Sequence, residues 1–551
     1  MPTYLNGVEQ GGGGGAGGDA VITVAANNTP AAQKARADFT CPGANDEATI
    51  QALVAAGVAV KLMVGDYIFN ASLNILVSNF RLEGSGPGTT ISGILAVPYI
   101  RVGNNATALE DITICDLEID GTAQTAGAGI LLDGAAGSLL TNMNILNCQI
   151  EYCDEEGING EYCVSSLFES NYCMGNDEPG ISLDNCDYCR VADNLCKSSY
   201  TRDGILLYAC DNCTVTGNDC NHNDAHGIKL DNSTMCTVTG NTCDGNDLSG
   251  ISVSSGDWNT VSGNTCTNNS SYGITIGASD LITVTGNTVS YNGTTTYSGI
   301  RFFNCLECTV TGNAVDFNGN HGIELQRTSH CTISGNVCNS SRSAAGIYIE
   351  GDATANSDYN HVSGNNCYNN TTYGIQIVGG VDANNNRVIN NKLTSNTTAP
   401  FADAGTNTML ATYVVPFIDG TDPQDSGFLI DDTTEMARAY LRLPPEVQQV
   451  VRMEVYARAV AAETHEMELE MVVKGGADNE PYATHDGSIA NLDSISVNFA
   501  ADDVIFWRNI EAGTLALLGG DSVEVKVLHA PVEGENLDTQ AYFRTVEIQY
   551  V

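Results

Sequence analysis

Along most of the chain, apolar and polar residues alternate in bursts of three or four and are then interrupted by Asn, Asp or Gly. Bursts of this kind, rich in Val, Ile and Thr, predict short strands joined by tight turns. They also repeat. A Gly-Ile pair recurs at Gly157, Gly180, Gly204, Gly227, Gly250, Gly273, Gly299, Gly322, Gly346 and Gly374, mostly 23 or 24 residues apart. The run Thr-Val-Thr-Gly-Asn and its variants travels in the same register, ending at Asn218, Asn241, Asn264, Asn287, Asn313, Asn336 and Asn365. A period of about 23 residues holds about three short strands with their turns, which is one coil of a parallel β-helix. Leucine-rich repeats share that length but need a Leu/Asn consensus that is missing here. With coils about 4.8 Å apart, about 13 of them between Val60 and Asn396 would stack over about 60 Å.

Stacking lays equivalent positions over one another, and this gives the cysteines a meaning. Cys196, Cys220, Cys243, Cys266, Cys338 and Cys367 fall two places after the repeat's Asn or its equivalent. Cys189, Cys213, Cys236, Cys308 and Cys331 form a second column, and Cys186, Cys210 and Cys305 a third. Read linearly, Cys186/Cys189, Cys210/Cys213 and Cys305/Cys308 are CxxC motifs of the metal or redox type. Strand alternation and apolar neighbours favour inward thiol ladders, with most cysteines reduced and buried. The Asn column is expected to form a ladder of side-chain amides at a turn, where Asn also tolerates the left-handed conformation.

Before the first clear coil, Asn45 to Gly57 has an N-cap Asn or Asp and helical spacing of Ile50, Leu53 and Val54, which predicts a helix over the open end of the solenoid. The string Ala37-Asp38-Phe39, then NDEATIQ from Asn45, then Val64-Gly65-Asp66-Tyr67, then LEGSGPGTTISG from Leu82, resembles the entry to right-handed parallel β-helix proteins of the pectate-lyase-like superfamily. That group includes polysaccharide lyases, polygalacturonase-like hydrolases, NosD-like repeat proteins and bacteriophage tailspikes. The resemblance covers about residues 37 to 400 and implies a right-handed solenoid.

Beyond the repeat the pattern changes. The last cysteine is Cys367, and from about Thr408 longer alternating stretches appear: Val450 to Val460, His465 to Val473, Ser522 to His529 and Ala541 to Val551. They predict a C-terminal antiparallel β-sandwich of about 140 residues. The expected organisation is a Gly-rich N-terminal tag or attachment segment over 1–36, an entry strand and capping helix over 37–59, the parallel β-helix over 60–407 and the sandwich over 408–551.

Composition narrows the function. The chain has 551 residues with 66 Asp+Glu against 22 Lys+Arg, a formal charge of −44. Such an acid excess repels nucleic acid and anionic membrane surfaces. The longest apolar candidate, Leu53 to Val64, is short for a membrane span and contains Lys61. Met1 to Gln10 carry neither a basic start nor an apolar run, so no secretory signal is visible there. Gly11 to Gly18 contain seven Gly and read as a flexible linker.

No nucleotide loop, HExxH, GxSxG or zinc-type pattern is present, so candidate chemistry must sit on the outer face of the coils. In the Gly-Ile strand the Ile points inward, so the second and fourth residues after the Gly point out. Those columns, with the residue before each Gly, bring together Glu161, Asp184, Asp203, Tyr208, His226, Lys229 and Asp231. Asp184 and Asp231 fall in one column two coils apart, about 9.6 Å, with Tyr208 between them to pack on a sugar ring. That separation suits a pair of carboxylates acting across a glycosidic bond. Asp203 and His226 are also similar to the Asp and Gly-His-Gly motifs of polygalacturonase-like hydrolases. The sequence, however, has Arg202-Asp203-Gly204 in place of paired Asp, Ala225-His226-Gly227 in place of Gly-His-Gly, and no Arg-Ile-Lys. As catalytic candidates stand Asp184, Asp203, His226, Lys229 and Asp231, against the plainer account that outer polar residues are solvated.

A second patch has Arg301, Glu324, Gln326, Arg327, His330 and Glu350, with Phe302 and Phe303 nearby. Together with Glu161 and Tyr208 it would bind glycan, or simply form an exposed salt-bridge network. Asp419, Asp422 and Asp425 lie in a Gly-containing loop and are a candidate Ca²⁺ site, although most such loops hold nothing; no other metal or cofactor is expected. Three classes of function follow: a virion-attached or extracellular glycan-recognition protein of tailspike or adhesin type, expected as a homotrimer; a polysaccharide hydrolase or lyase; and a noncatalytic surface filament.

Overall fold

The computed structural model describes residues 21–352, 354–379, 382–405 and 408, and beyond them only the backbone of strands within 4–9 and 409–550. The chain divides into two compact units, Met1–Thr265 and Cys266–Val551. In both, the repeat builds parallel solenoid coils of three short strands. Eight Gly-Ile strands lie in the first unit, from Leu73–Ile75 to Ile251–Ser254, and six in the second, from Ile274–Gly277 to Ala399–Asp403. The total is one more than the coil arithmetic gives.

In the first unit the register is uninterrupted over the repeat. Ile181, Ile205, Ile228 and Ile251 pair in line, as do Val191, Val215, Val238 and Val261 on the second sheet and Cys173, Cys196, Cys220 and Cys243 on the third. All of these point inward and are buried. The repeated Gly is there for space. A Cβ on Gly204 would come within 2.7 Å of the Gly227 carbonyl oxygen and 3.2 Å of the Cys220 Cβ.

The amide ladder forms as expected, with one correction about the turn. Asn171, Asn194, Asn218, Asn241 and Asn264 are buried and each passes its Nδ2 to the next Oδ1 at 2.9–3.0 Å. The left-handed conformation falls on the Gly before the Asn: Gly217, Gly240 and Gly263 have φ of 68°, 66° and 63°. The amide is thereby free to face the core. The second unit repeats the ladder through Asn287, Asn313, Asn336, Asn365 and Asn391.

The thiols are of two kinds. Cys196, Cys220 and Cys243 fill the core from strands, whereas Cys186, Cys189, Cys210 and Cys213 sit at turns and act as backbone partners. The Cys210 Sγ accepts the Cys186 N–H at 3.4 Å, and the Cys213 Sγ accepts the Cys189 N–H at 3.4 Å. The next coils place Ser233 Oγ and Asn259 Oδ1 in those same roles, at 3.0 and 2.8 Å. All 20 cysteines are buried, and none forms a disulfide. Thiol titration of the denatured chain without reductant is expected to recover close to 20 groups and the native protein close to none; substantial disulfide content would refute the ladders.

At the entry, Ile22–Ala25 pairs in parallel with Phe39–Thr40 and Val60–Leu62, so pairing begins inside the stretch assigned to the attachment segment. The helix Asp46–Ala55 buries Ile50, Leu53 and Val54. Asn45 precedes it in the left-handed conformation without capping it by its side chain. Instead Asp46 accepts the Gly43 and Ile68 N–H groups at 2.7 and 2.9 Å, and Gln51 exchanges two hydrogen bonds with the Asn74 backbone at 2.8 Å.

In the second unit, the long stretches after 408 are antiparallel strands. Ala541–Tyr550 pairs with Met409–Pro416 and Val450–Ala459, and Ser522–Ala530 pairs with Met436–Arg442 and Thr464–Lys474. Face-to-face packing of these sheets, and the loop with Asp419, Asp422 and Asp425, lie outside the described residues. Among the described residues no helix is long and apolar enough to cross a membrane.

Candidate functional site

The first unit carries an acidic outer column. Parallel register sets Asp133, Glu161, Asp184, Tyr208 and Asp231 in line at the fourth place of successive Gly-Ile strands. Asp133 was not singled out from the sequence, although its place four residues after Gly129 marks it. It is ion-paired to Arg101. Burial pushes the Glu161 carboxyl up, and the Asp133 and Asp184 charges add to this. Burial likewise raises Asp184, whose Oδ1 accepts a hydrogen bond from Asn185 at 2.6 Å. Asp231 meets Lys229 at 3.1 Å and accepts the Ser254 hydroxyl at 3.1 Å. Tyr208 is 46% exposed and free to stack.

Asp203 and His226 do not lie on this outer face. Asp203 is 5% exposed, and its Oδ1 accepts the His226 N–H at 2.8 Å. The Nδ1 of His226 in turn accepts the Ser249 N–H at 3.1 Å, which places the ring proton on Nε2. Burial raises the Asp203 carboxyl and lowers His226 to about 4. The residue before each Gly precedes the strand, so strand alternation does not aim it. At Asp203, His226 and His321 the side chain instead accepts a backbone N–H of the following coil.

That rule exposes a residue the sequence reading missed. Glu156 occupies the same place before Gly157, but the corresponding residue one coil on is Pro179, which has no N–H to give. Burial pushes the Glu156 carboxyl up to about 7, with Glu155, Glu178 and Glu161 adding repulsion. The signal was Pro179 standing in the place before Gly180.

The second unit carries the mixed patch. Arg301, Glu324 and Tyr348 stand in one outer column, with Phe303, Gln326 and Glu350 in the neighbouring one. The Arg301 guanidinium lies between two rings, 5.2 Å from the Tyr272 centroid and 4.7 Å from that of Phe303, and Arg327 sits 5.2 Å from Phe303. Ser298 donates to Glu324 at 2.6 Å, Arg301 to Gln326 at 2.8 Å, and Gln326 to Glu350 at 3.2 Å. Glu324 has a side chain only 12% exposed and lies 3.8 Å from Arg301. Phe302 is different: it points inward and belongs to the core. Arg327 is also held by Asp352 at 2.6 Å. His330 stacks on Tyr359 at 5.0 Å, at a turn rather than in the patch. Tyr272, Ser298 and Tyr348 were missed, although Ser298 stands before Gly299 as Asp203 stands before Gly204.

Among the described residues, no group of three or more His, Cys, Asp and Glu is placed to hold an ion.

A family model described as a right-handed beta helix region matches residues 99–223 and 203–357. Among solved structures, the pre-mature bacteriophage phi29 gene product 12 is similar at a TM-score of 0.52 and 14% identity, over 67% of this chain and 56% of that one. The A-module of mannuronan C-5 epimerase AlgE4 from Azotobacter vinelandii is similar at 0.43 and 16% identity, over 67% and 96%. The Pseudomonas phage phi297 tailspike gp61 is similar at 0.43 and 11% identity, over 90% and 92%. No curated protein matches the sequence.

Proposed function

Because the chain is a right-handed parallel β-helix protein, consistent with the pectate-lyase-like superfamily, its polar sheet faces are its natural binding surfaces, and we propose that it is a glycan-recognition protein of tailspike or adhesin type. It would act outside the cell or on a virion, as a homotrimer, with polysaccharide lying across the Gly-Ile sheet. The observation that carries this reading is the patch around Phe303, where aromatic rings stand beside fixed hydrogen-bonding groups on adjacent coils. Sugar rings need both: an apolar face to stack on and polar partners for the hydroxyls. A net charge of −44 favours neutral polysaccharide over polyanionic ones, except where Arg301 and Arg327 offset it locally.

Retention on immobilised polysaccharides tests the proposal, using dextran, xylan, pectate, alginate and purified bacterial O-chains. The unmutated protein is expected to be retained on at least one of them. Phe303→Ala is expected to weaken that retention by about fivefold or more, because a stacking ring contributes about 1 kcal/mol or more in a desolvated contact. Unchanged retention in a folded Phe303→Ala, Arg301→Ala double variant would move the site elsewhere.

A second reading rests on the acidic column. Asp184 and Asp231 are two strands apart, about 9.6 Å by strand spacing, with Tyr208 between them. On that reading the first unit is hydrolytic, with Glu161 and Asp184 as the candidate acids and Lys229 orienting Asp231.

A further inference from the structure

The Thr-Val-Thr run takes no part in the faces described above, yet it builds a regular one of its own. In the first unit Thr214–Thr216, Thr237–Thr239 and Thr260–Ser262 lie side by side in parallel register. Thr214, Thr237 and Thr260 form one outer column, and Thr216, Thr239 and Ser262 the other, while the Val between them is buried. The second unit repeats the arrangement with Thr283–Thr285, Thr309–Thr311 and Thr332–Ser334. Neither array contains a charge, in a chain that carries −44. Outer positions on the other sheets of the same coils hold Asp219, Lys229, Asp231 and Asp244. Along one edge of the first array Gly217, Gly240 and Gly263 follow the strands and raise no side chain above them.

Two repeats define each array. Adjacent coils are about 4.8 Å apart, and the two outer positions of one strand are about 6.6 Å apart. Water joined tetrahedrally by hydrogen bonds of about 2.75 Å has second-neighbour oxygens about 4.5 Å apart, with a repeat of about 7.4 Å at right angles to that row. Each spacing of the protein face differs from its counterpart by about a tenth. β-Branching restricts every Thr at χ1, so methyls and hydroxyls are set before water arrives. Ser262 donates to Thr239 at 3.1 Å and Thr311 to Thr285 at 3.1 Å, which fixes the direction of those hydroxyls. The hydroxyls of Thr214, Thr237 and Thr260 have no protein partner among the described residues and are left to water.

We propose that these arrays bind ice, the ligand being the oxygen lattice of a crystal face rather than a dissolved molecule. Waters that sit between the methyl groups and bond to the hydroxyls occupy lattice positions, and they join the crystal when the face meets it. A neutral face suits this ligand, because a charged side chain would hold a hydration shell of its own that does not fit the lattice. The inference is independent of the glycan reading, which uses the Gly-Ile sheet.

Nanolitre osmometry and an ice-recrystallisation assay on the full chain test it, with serum albumin at the same concentration as the reference. Faceted crystals, a gap between the melting and freezing temperatures, and ice grains that stay small are expected. The double variant Thr237→Lys, Thr309→Lys raises one long charged side chain in the middle of each array. It should need at least about tenfold more protein for the same inhibition, because a protruding charge blocks close approach. Both positions face outward, so its melting temperature should move by no more than a few degrees. A folded double variant as active as the parent overturns the assignment to these faces. Ice growth in the unmutated protein that matches growth in serum albumin overturns the proposal outright.

Discussion

Asn218→Ala is expected to be among the most damaging single substitutions in the first unit, lowering stability by about 4 kcal/mol. The Asn218 Oδ1 accepts both the backbone N–H and the Nδ2 of Asn194 at 2.9 Å, and its own Nδ2 donates to the Val191 carbonyl at 3.0 Å. All of these groups are buried, and alanine takes the acceptor from the Asn194 N–H and from one Asn194 Nδ2 hydrogen and a donor from the Val191 carbonyl, while the Asn194 Nδ2 keeps its bond to the Phe168 carbonyl. Each orphaned buried group costs about 1–3 kcal/mol. The surrounding coils cannot relax to compensate, because Asn194 and Asn241 are pinned by the same ladder. Urea unfolding of the two proteins measures the difference. A loss below about 1 kcal/mol would mean that water enters the turn and the ladder is not a source of stability. Thr216→Ala, two residues away on the outer side of its strand, serves as the control and should change stability by less than about 0.5 kcal/mol.

Glu156→Gln should act in the opposite direction, and only above about pH 4.5. The folded protein holds this carboxyl near 7, above the ordinary value of 4.5 that it recovers on unfolding. Between these values the folded state binds the extra proton, so the stability contributed by the protonated group is complete below about pH 4.5 and is lost as pH rises through about 7. Gln mimics the neutral acid at every pH. Stability of the variant and its parent should therefore coincide at pH 4 and separate by on the order of 3 kcal/mol at pH 8, with the variant the more stable. Glu155, Glu178 and Glu161 are the charges that oppose ionisation of Glu156, so neutralising any of them should narrow the gap. A pH-independent difference would show that Glu156 is ionised throughout.

These two positions also show how far the residues can be read without coordinates. The Asn218 ladder was legible, because a parallel in-register solenoid turns a sequence period into a spatial column. Once Gly204 and Gly227, or Asn218 and Asn241, are seen to recur together, their stacking follows. The acidic column through Asp184, Tyr208 and Asp231 was legible for the same reason. Alternation inside a strand also separates Phe303, which faces out, from Phe302, which does not.

Alternation fails at the turns. Asp203 and His226 look like outer polar residues with catalytic spacing, yet each is committed to a backbone N–H on the next coil. Glu156 differs from them only because Pro179 follows it one coil on, and that has no meaning until the bond it interrupts is known. The place of Tyr272 and Ser298 beside Arg301 and Glu324 was equally hidden, since the spacing of the chain does not say which way a long side chain will lean.

What the sequence by itself determined, then, is the coil: its length, its three strands, its inward Ile, Val and Cys, and the columns that repetition creates. Backbone pairing imposes one spacing on every coil, so these features follow from period and alternation alone. What only the tertiary structure decided is the fate of side chains at coil corners and in the mixed patch around Arg301. Their direction and charge depend on which donors, rings and carboxylates the adjacent coil presents, and those neighbours are distant in sequence and different at each step.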